Sequence, residues 1–189
     1  MAEVYAFLAD GFELVECMAV VDILRRGKVD VRTVSIGKSY EVTCSHGVRV
    51  IADELFDDIA PEKATMLFLP GGKRGTEALA GFRPLISALK KAADNQSRKV
   101  AAICAAPTIL GQNGLLAGKK ATCYPGMEDR LIEAEYVDDA GVVTDGNIIT
   151  GRGMGVSVDF GLELLKALRG EQAADIIKHQ IQHPETIKK

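Results

Sequence analysis

The chain has 189 residues, 47% hydrophobic and 26% charged, with a formal net charge of −3. That length and balance fit one folded domain, residues 1–189, with a sizeable core. The slight acidity offers no general drive toward nucleic acid or an anionic membrane, and no apolar run approaches the roughly 18 residues a membrane span needs.

The pattern predicts elements in the following order. Glu3 to Ala9 is β-rich and ends at Asp10-Gly11. Its brief apolar start lacks a basic leader and is interrupted by Asp10, so it does not read as a secretory signal. Glu13 to Arg26 has helical spacing, with Leu14, Cys17, Met18, Val21 and Leu24 along one side, and Gly27 stops it. Val29 to Ile36 alternates like a strand. Val42 to Cys44 and Val48 to Ile51 suggest a hairpin around Ser45-His46-Gly47. Ala64 to Leu69 reads as a buried strand ending in Pro70-Gly71-Gly72. A helix over Pro84 to Ala93 and a strand over Val100 to Cys104 follow, then a helical stretch from Thr108 to Gln112. Strands are expected at Ala121 to Tyr124, Val142 to Thr144 and Asn147 to Thr150, the last two paired across Asp145-Gly146. Helices over Ser157 to Leu168 and Gln172 to Gln182 close the chain, and Lys188-Lys189 is expected to fray.

Short apolar strands alternating with helices predict an α/β fold with a mostly parallel sheet covered on both faces. Ligands on such folds bind beyond the carboxyl ends of the strands. Three loops are candidates: Asp10 to Glu13, Pro70 to Lys73, and Cys104 to Pro107. The last places a thiol at a strand-to-helix turn, where the helix N-terminus favours thiolate. A small buried core thiol is the alternative reading. Glu16 lies among apolar residues. If it stays protonated beside Cys104, it can donate a hydrogen bond to the sulfur, and the two then titrate as a coupled pair. Gly71-Gly72 permits close backbone approach, and its N–H groups, with that of Ala105, can face an oxyanion.

The four cysteines, Cys17, Cys44, Cys104 and Cys123, are far apart and lack CxxC spacing, which favours reduced thiols in the cytoplasm over zinc or disulfides. Cys17, Cys44 and Cys123 are expected to pack. His179 and His183 are four apart but lack further ligands, so solvent exposure is expected rather than a metal site.

Several motifs, in order, resemble the ThiJ/PfpI superfamily, and within it the DJ-one branch, the family of the parkinsonism-associated protein and its bacterial relatives. They are Asp10-Gly-Phe-Glu13-Leu-Val-Glu16, Val21-Asp22-Ile-Leu-Arg-Arg26-Gly27, Cys44-Ser45-His46, Leu67-Phe-Leu-Pro-Gly-Gly72, Ala101-Ala-Ile-Cys104-Ala-Ala-Pro107, Thr150-Gly-Arg152-Gly-Met-Gly155 and Asp159-Phe160. The resemblance implies a flavodoxin-like three-layer sandwich and a homodimer, with no cofactor. It maps a reactive cysteine onto Cys104, a protonated partner onto Glu16 and oxyanion-hole positions onto Gly72 and Ala105. A secondary pocket is expected from Glu13, Gly71, Tyr124, Arg26, His46 and Arg152. The implied activity is that of an oxidative and carbonyl-stress protein, a cofactor-free glyoxalase or deglycase acting on small reactive aldehydes or glycated adducts. The alternative is a cysteine-sulfinate redox sensor or chaperone without turnover.

Four departures stand out against that family. Ala105 occupies the position of the histidine in the protease-like branch, which argues against a peptidase. Tyr124 stands where some relatives carry histidine. His46 replaces a common arginine, and Met154 replaces a common proline.

Overall fold

The computed structural model describes residues 2–187, so Lys188-Lys189 lies outside the described residues. The elements run β1 (Val4–Leu8), α1 (Leu14–Arg26), β2 (Val31–Ser35), β3 (Glu41–Thr43), β4 (Arg49–Ile51), β5 (Glu54–Leu55), β6 (Met66–Leu69), α2 (Lys73–Gly81), α3 (Arg83–Ala93), β7 (Lys99–Ile103), α4 (Pro107–Gln112), β8 (Lys120–Ala121), β9 (Glu135–Tyr136), β10 (Val142–Asp145), β11 (Ile148–Gly151), α5 (Ser157–Arg169) and α6 (Glu171–Gln180).

Seven strands form the central sheet in the order β10-β11-β7-β6-β1-β2-β5, parallel except for the antiparallel β10–β11 pair. Successive strand side chains point to opposite faces, and the core divides accordingly. Val4, Ala6, Leu8, Phe68 and Ile103 pack against α1, α5 and α6. Tyr5, Phe7, Leu67, Leu69 and Ala102 pack against α2, α3 and α4. This is the flavodoxin-like sandwich, with helices on both faces.

The order of strands places the site. From β1 the chain steps outward to β2 and β5, then returns to β6 and β7 on the other side of β1. The loops leaving β1 and β6 therefore diverge at neighbouring carboxyl ends, where such folds open a crevice. The loop leaving β7 is next in line.

Three expectations differ from the structure. Helix α2 occupies a stretch that the residue pattern left unassigned. The expected strand Ala121 to Tyr124 shrinks to Lys120–Ala121, paired with β9 outside the central sheet. The next residues bond elsewhere: Thr122 N–H donates to Thr150 Oγ1 at 3.0 Å and Tyr124 N–H to the Cys104 carbonyl at 2.8 Å. The hairpin forms one residue further out than expected at its ends, with Val42 opposite Val50.

Phe160 of α5 is fully buried, with its ring centroid 5.9 Å from that of Phe68. It fills the space a side chain at Gly151 would occupy. Phe160→Ala is expected to lower the unfolding free energy by about 3–5 kcal/mol, read as a lower urea midpoint with an unchanged slope.

Candidate active site

The start of α1 is clasped to the loop after β6. Glu13 N–H donates to the Gly71 carbonyl at 2.9 Å, and Gly71 N–H donates to Glu16 Oε2 at 2.8 Å. Glu16 sits in the first turn of α1, where a negative charge is favoured, yet it is only 1% exposed. Gly71 has no room for a side chain. A Cβ there would stand 2.5 Å from Glu16 Oε2 and 2.6 Å from Cys104 Cβ. The three loops meet at this point.

Cys104 directly follows β7 and lies in the left-handed region, with φ of 64°. For a residue with a side chain that conformation costs roughly 1–2 kcal/mol. Two 2.8 Å hydrogen bonds hold it there, from its own N–H to the Gly151 carbonyl and from Tyr124 N–H to its carbonyl. The result is a sharp strand-to-helix elbow that leaves the thiol half-buried. The sulfur meets the Glu16 carboxyl and the backbone N–H groups of Gly72 and Ala105. Gly72 adopts a φ of 90°, and a Cβ there would strike the Gly11 carbonyl at 2.4 Å. Both its conformation and its packing therefore require glycine.

Burial pushes the Glu16 carboxyl up to about 7, and the charge of Glu13 adds to the rise. The hydrogen bonds from Cys104 and Gly71 act in the opposite direction. Burial also pushes the Cys104 thiol up, to about 12, reinforced by the ionised form of Glu16 and opposed by the N–H groups of Ala105 and Gly72. This corrects the expectation of a thiol drawn down by the helix terminus. The helix behind it has only six residues, and burial, with the neighbouring carboxylate second, outweighs so short a dipole. Protonating Glu16 removes that opposing charge, so the sulfur and carboxyl titrate as a coupled pair.

The other expected residues divide. Ser45 Oγ donates to Glu13 Oε2 at 2.9 Å and lies 2.9 Å from His46 Nδ1, so the β3–β4 turn reaches the mouth of the site. Tyr124 is joined to Cys104 through the backbone, but its ring lies over Gly153 and is 53% exposed. The Arg152 guanidinium is committed to the Asp138 carbonyl. Arg26 pairs with Asp22 at 2.6 Å near the far end of α1, and ten residues of helix put it ~15 Å along the axis from Glu16. Within this chain neither Arg26 nor Arg152 joins Cys104. Ser45 and the Gly151 carbonyl were missed as site residues; Ser45 lies inside the Cys44-Ser45-His46 motif, whereas nothing in the sequence marks the Gly151 contact. Cys17, Cys44 and Cys123 are buried. His179 lies against the Asp175 carbonyl, and His183 lies 3.0 Å from Asp159.

The DJ-1/PfpI family pattern matches residues 2–167. The chain belongs to the DJ-1/PfpI family. It is 38% identical over 166 residues to Protein DJ-1 homolog B of Arabidopsis thaliana, covering 87% of this chain and 37% of that protein, so it spans just over a third of that relative. It is 32% identical over 163 residues to the Caenorhabditis elegans protein named glutathione-independent glyoxalase DJR-1.2, covering 85% of this chain and 84% of that one. The solved structure of oxidized Toxoplasma gondii DJ-1 superimposes with a TM-score of 0.90 at 30% identity, covering 96% of this chain and 98% of that one. No helix among the described residues is long and apolar enough to cross a membrane.

The raised Glu16 pKa makes stability depend on pH. The folded state holds the Glu16 proton up to about 7, while an unfolded glutamate releases it near 4.5. The stabilisation from that proton is therefore complete below about 4.5 and is lost as pH rises to about 7. A shift of this size corresponds to about 3 kcal/mol. Denaturant titrations of wild type and Glu16→Gln from pH 4.5 to 8 are expected to show a loss of that order in wild type alone.

Proposed function

We propose that this chain is a carbonyl-stress protein, a cofactor-free glyoxalase or deglycase that acts through Cys104 on methylglyoxal, glyoxal or their adducts. The observation that carries this reading is the convergence of one buried carboxyl and two backbone N–H groups on a single sulfur. The name of the Caenorhabditis elegans relative supports the same chemistry. The other proposed features are a homodimer in the cytoplasm. Exposed Val15, Val48, Ile51 and Met154 offer apolar surface for a second copy, and the four cysteines are unpaired.

The reaction follows from the coupling of sulfur and carboxyl. With the proton on Glu16, the Cys104 thiolate adds to the aldehyde carbon of methylglyoxal. The new alkoxide sits against the N–H groups of Gly72 and Ala105 and takes the proton from Glu16, giving a hemithioacetal. The Glu16 carboxylate then removes the carbon-bound proton and returns it to the neighbouring carbon, while the hydroxyl proton passes to the former ketone oxygen, which converts the hemithioacetal into a lactyl thioester. Water cleaves the carbon–sulfur bond, and lactate leaves with the thiol and carboxyl restored. Glyoxal gives glycolate by the same steps. The peptidase reading lacks a histidine base at Ala105.

A second reading uses the same cradle for redox sensing. Peroxide converts the thiolate to sulfenate and then sulfinate, releasing one water at each step, and a protonated Glu16 donates to a sulfinate oxygen. The oxidized state of the Toxoplasma relative favours this reading as a second role.

Lactate formation from methylglyoxal, measured in buffer free of thiols and amines, separates the two. Turnover by wild type is expected, with none from Cys104→Ser and a loss of about 10²–10⁴ in kcat for Glu16→Gln. Lactate from folded Cys104→Ser would overturn the enzyme reading. Absence of lactate from reduced wild type, together with about two oxygens added at Cys104 after mild peroxide, would leave the redox reading.

A further inference from the structure

Of the acidic and basic residues described, two are buried: Glu16 at 1% exposure and Arg98 at 9%. Glu16 belongs to the site above. Arg98 directly precedes β7 and Cys104 directly follows it, so the strand sets the two about 20 Å apart. The Arg98 guanidinium keeps its charge. Its Nε donates to the Ala64 carbonyl at 2.9 Å and its Nη2 to the Pro61 carbonyl at 2.6 Å. These bonds clamp the 61–64 segment to the start of β7, and they use two of the five N–H donors. Nη1 makes no hydrogen bond among the described residues and is not sealed from solvent. The acidic group that acts on Arg98 is Glu62, which makes no hydrogen bond to it.

Arg98 lines a cavity of about 170 Å³ between α3 and the segment from Phe56 to Glu62. That is room for about five waters, or for a carboxylate with a short carbon body. One wall is a face of α3, where Pro84, Ser87, Ala88 and Lys91 recur at the three- and four-residue spacing of one helix side. The first three are small and leave the space open. Phe56 and Pro61 form the other wall, and Phe56 is held edge-on against Phe82 with ring centroids 4.9 Å apart. The charges at the cavity are two cations, Arg98 and Lys91, and one exposed anion, Glu62. Neither cation forms an ion pair among the described residues.

We propose that this cavity binds a small organic carboxylate, held by the open edge of the Arg98 guanidinium and by Lys91, with its carbon body between α3 and Phe56. The planar fork of an arginine matches the two oxygens of a carboxylate. Apolar walls favour a carbon body over inorganic phosphate, whose charge is costly to strip of water without full pairing. The clamp on Ala64 and Pro61 accounts for Nε and Nη2, whereas the open Nη1 beside a preformed cavity is accounted for by a bound anion. The inference does not rest on the reading of the Cys104 site, and Cys104→Ser is expected to bind as wild type does.

Butyrate is the probe. Two-dimensional proton–nitrogen NMR spectra, including the Arg98 Nε–H signal, are followed during titration at constant ionic strength, with 1-butanol and inorganic phosphate as separate arms. Saturable shifts at Arg98 and along residues 84–91 are expected from butyrate alone, with a dissociation constant of about 1–10 mM for so small a ligand. Lys91→Gln is expected to weaken binding about two- to fivefold, and Glu62→Gln to tighten it by a similar factor. Arg98→Lys keeps the charge without the fork and is expected to lose about tenfold or more. Because Arg98 also clamps the 61–64 segment, Ala88→Leu supplies a test that leaves the clamp alone: it fills the space with a good helix former, and it is expected to abolish binding with an unchanged thermal melt. No saturable shift with butyrate, equal shifts with butanol, equal shifts with phosphate (an adventitious ion only), or full binding by Ala88→Leu would overturn the proposal.

Discussion

Gly71 exchanges two hydrogen bonds with the first turn of α1, giving its N–H to the Glu16 carboxyl and accepting from Glu13 N–H. The exchange joins the loop after β6 to the helix after β1, and it fixes a carboxyl where water is nearly absent. A buried carboxyl resists ionisation. The same carboxyl lies against the Cys104 sulfur, so the acidity of each group depends on where the other holds its proton. Any side chain at position 71 would break this arrangement from both sides, because it would strike Glu16 and Cys104 together.

The rest of the fold supports that contact. Parallel strands bring the loops after β1, β6 and β7 side by side. The left-handed turn at Cys104 raises its side chain out of the sheet, and the Gly151 carbonyl and Tyr124 N–H hold the turn from a strand and a loop further along the chain. Phe160 packs beneath Gly151, which ties the elbow to the core formed with α5. Local strain at the thiol is thus borne by contacts remote in sequence.

Much of this was legible in the chain alone, for reasons that differ between elements. The buried strands and long amphipathic helices declare themselves through periodicity. The three loops share one end of the sheet because each follows a strand in a β-α order. Helix α2 escaped that reading: Lys73-Arg-Gly-Thr follows a Pro-Gly-Gly turn, and Gly75 weakens helix propensity. Gly75 is there for packing, since a Cβ would stand 2.7 Å from the Phe12 backbone. The residues after Ala121 read as strand from their composition, but their N–H groups serve Thr150 and Cys104 instead. The direction of the thiol's acidity was not legible either. A helix terminus is visible in a sequence, whereas the depth of burial beside a carboxylate is a property of the folded chain. Arg26 shares the region of the motifs but not the site, because a continuous helix separates it from Glu16.

The central claim is that Glu16 holds its proton into the neutral range because it is buried against Cys104. The most direct measurement is the pH titration of the Glu16 carboxyl carbon by 13C NMR, assigned by comparison with Glu16→Gln. The account expects a midpoint at about 7. A midpoint in the ordinary glutamate range, about 4.3, would contradict it and remove the basis for a protonated carboxyl at the sulfur.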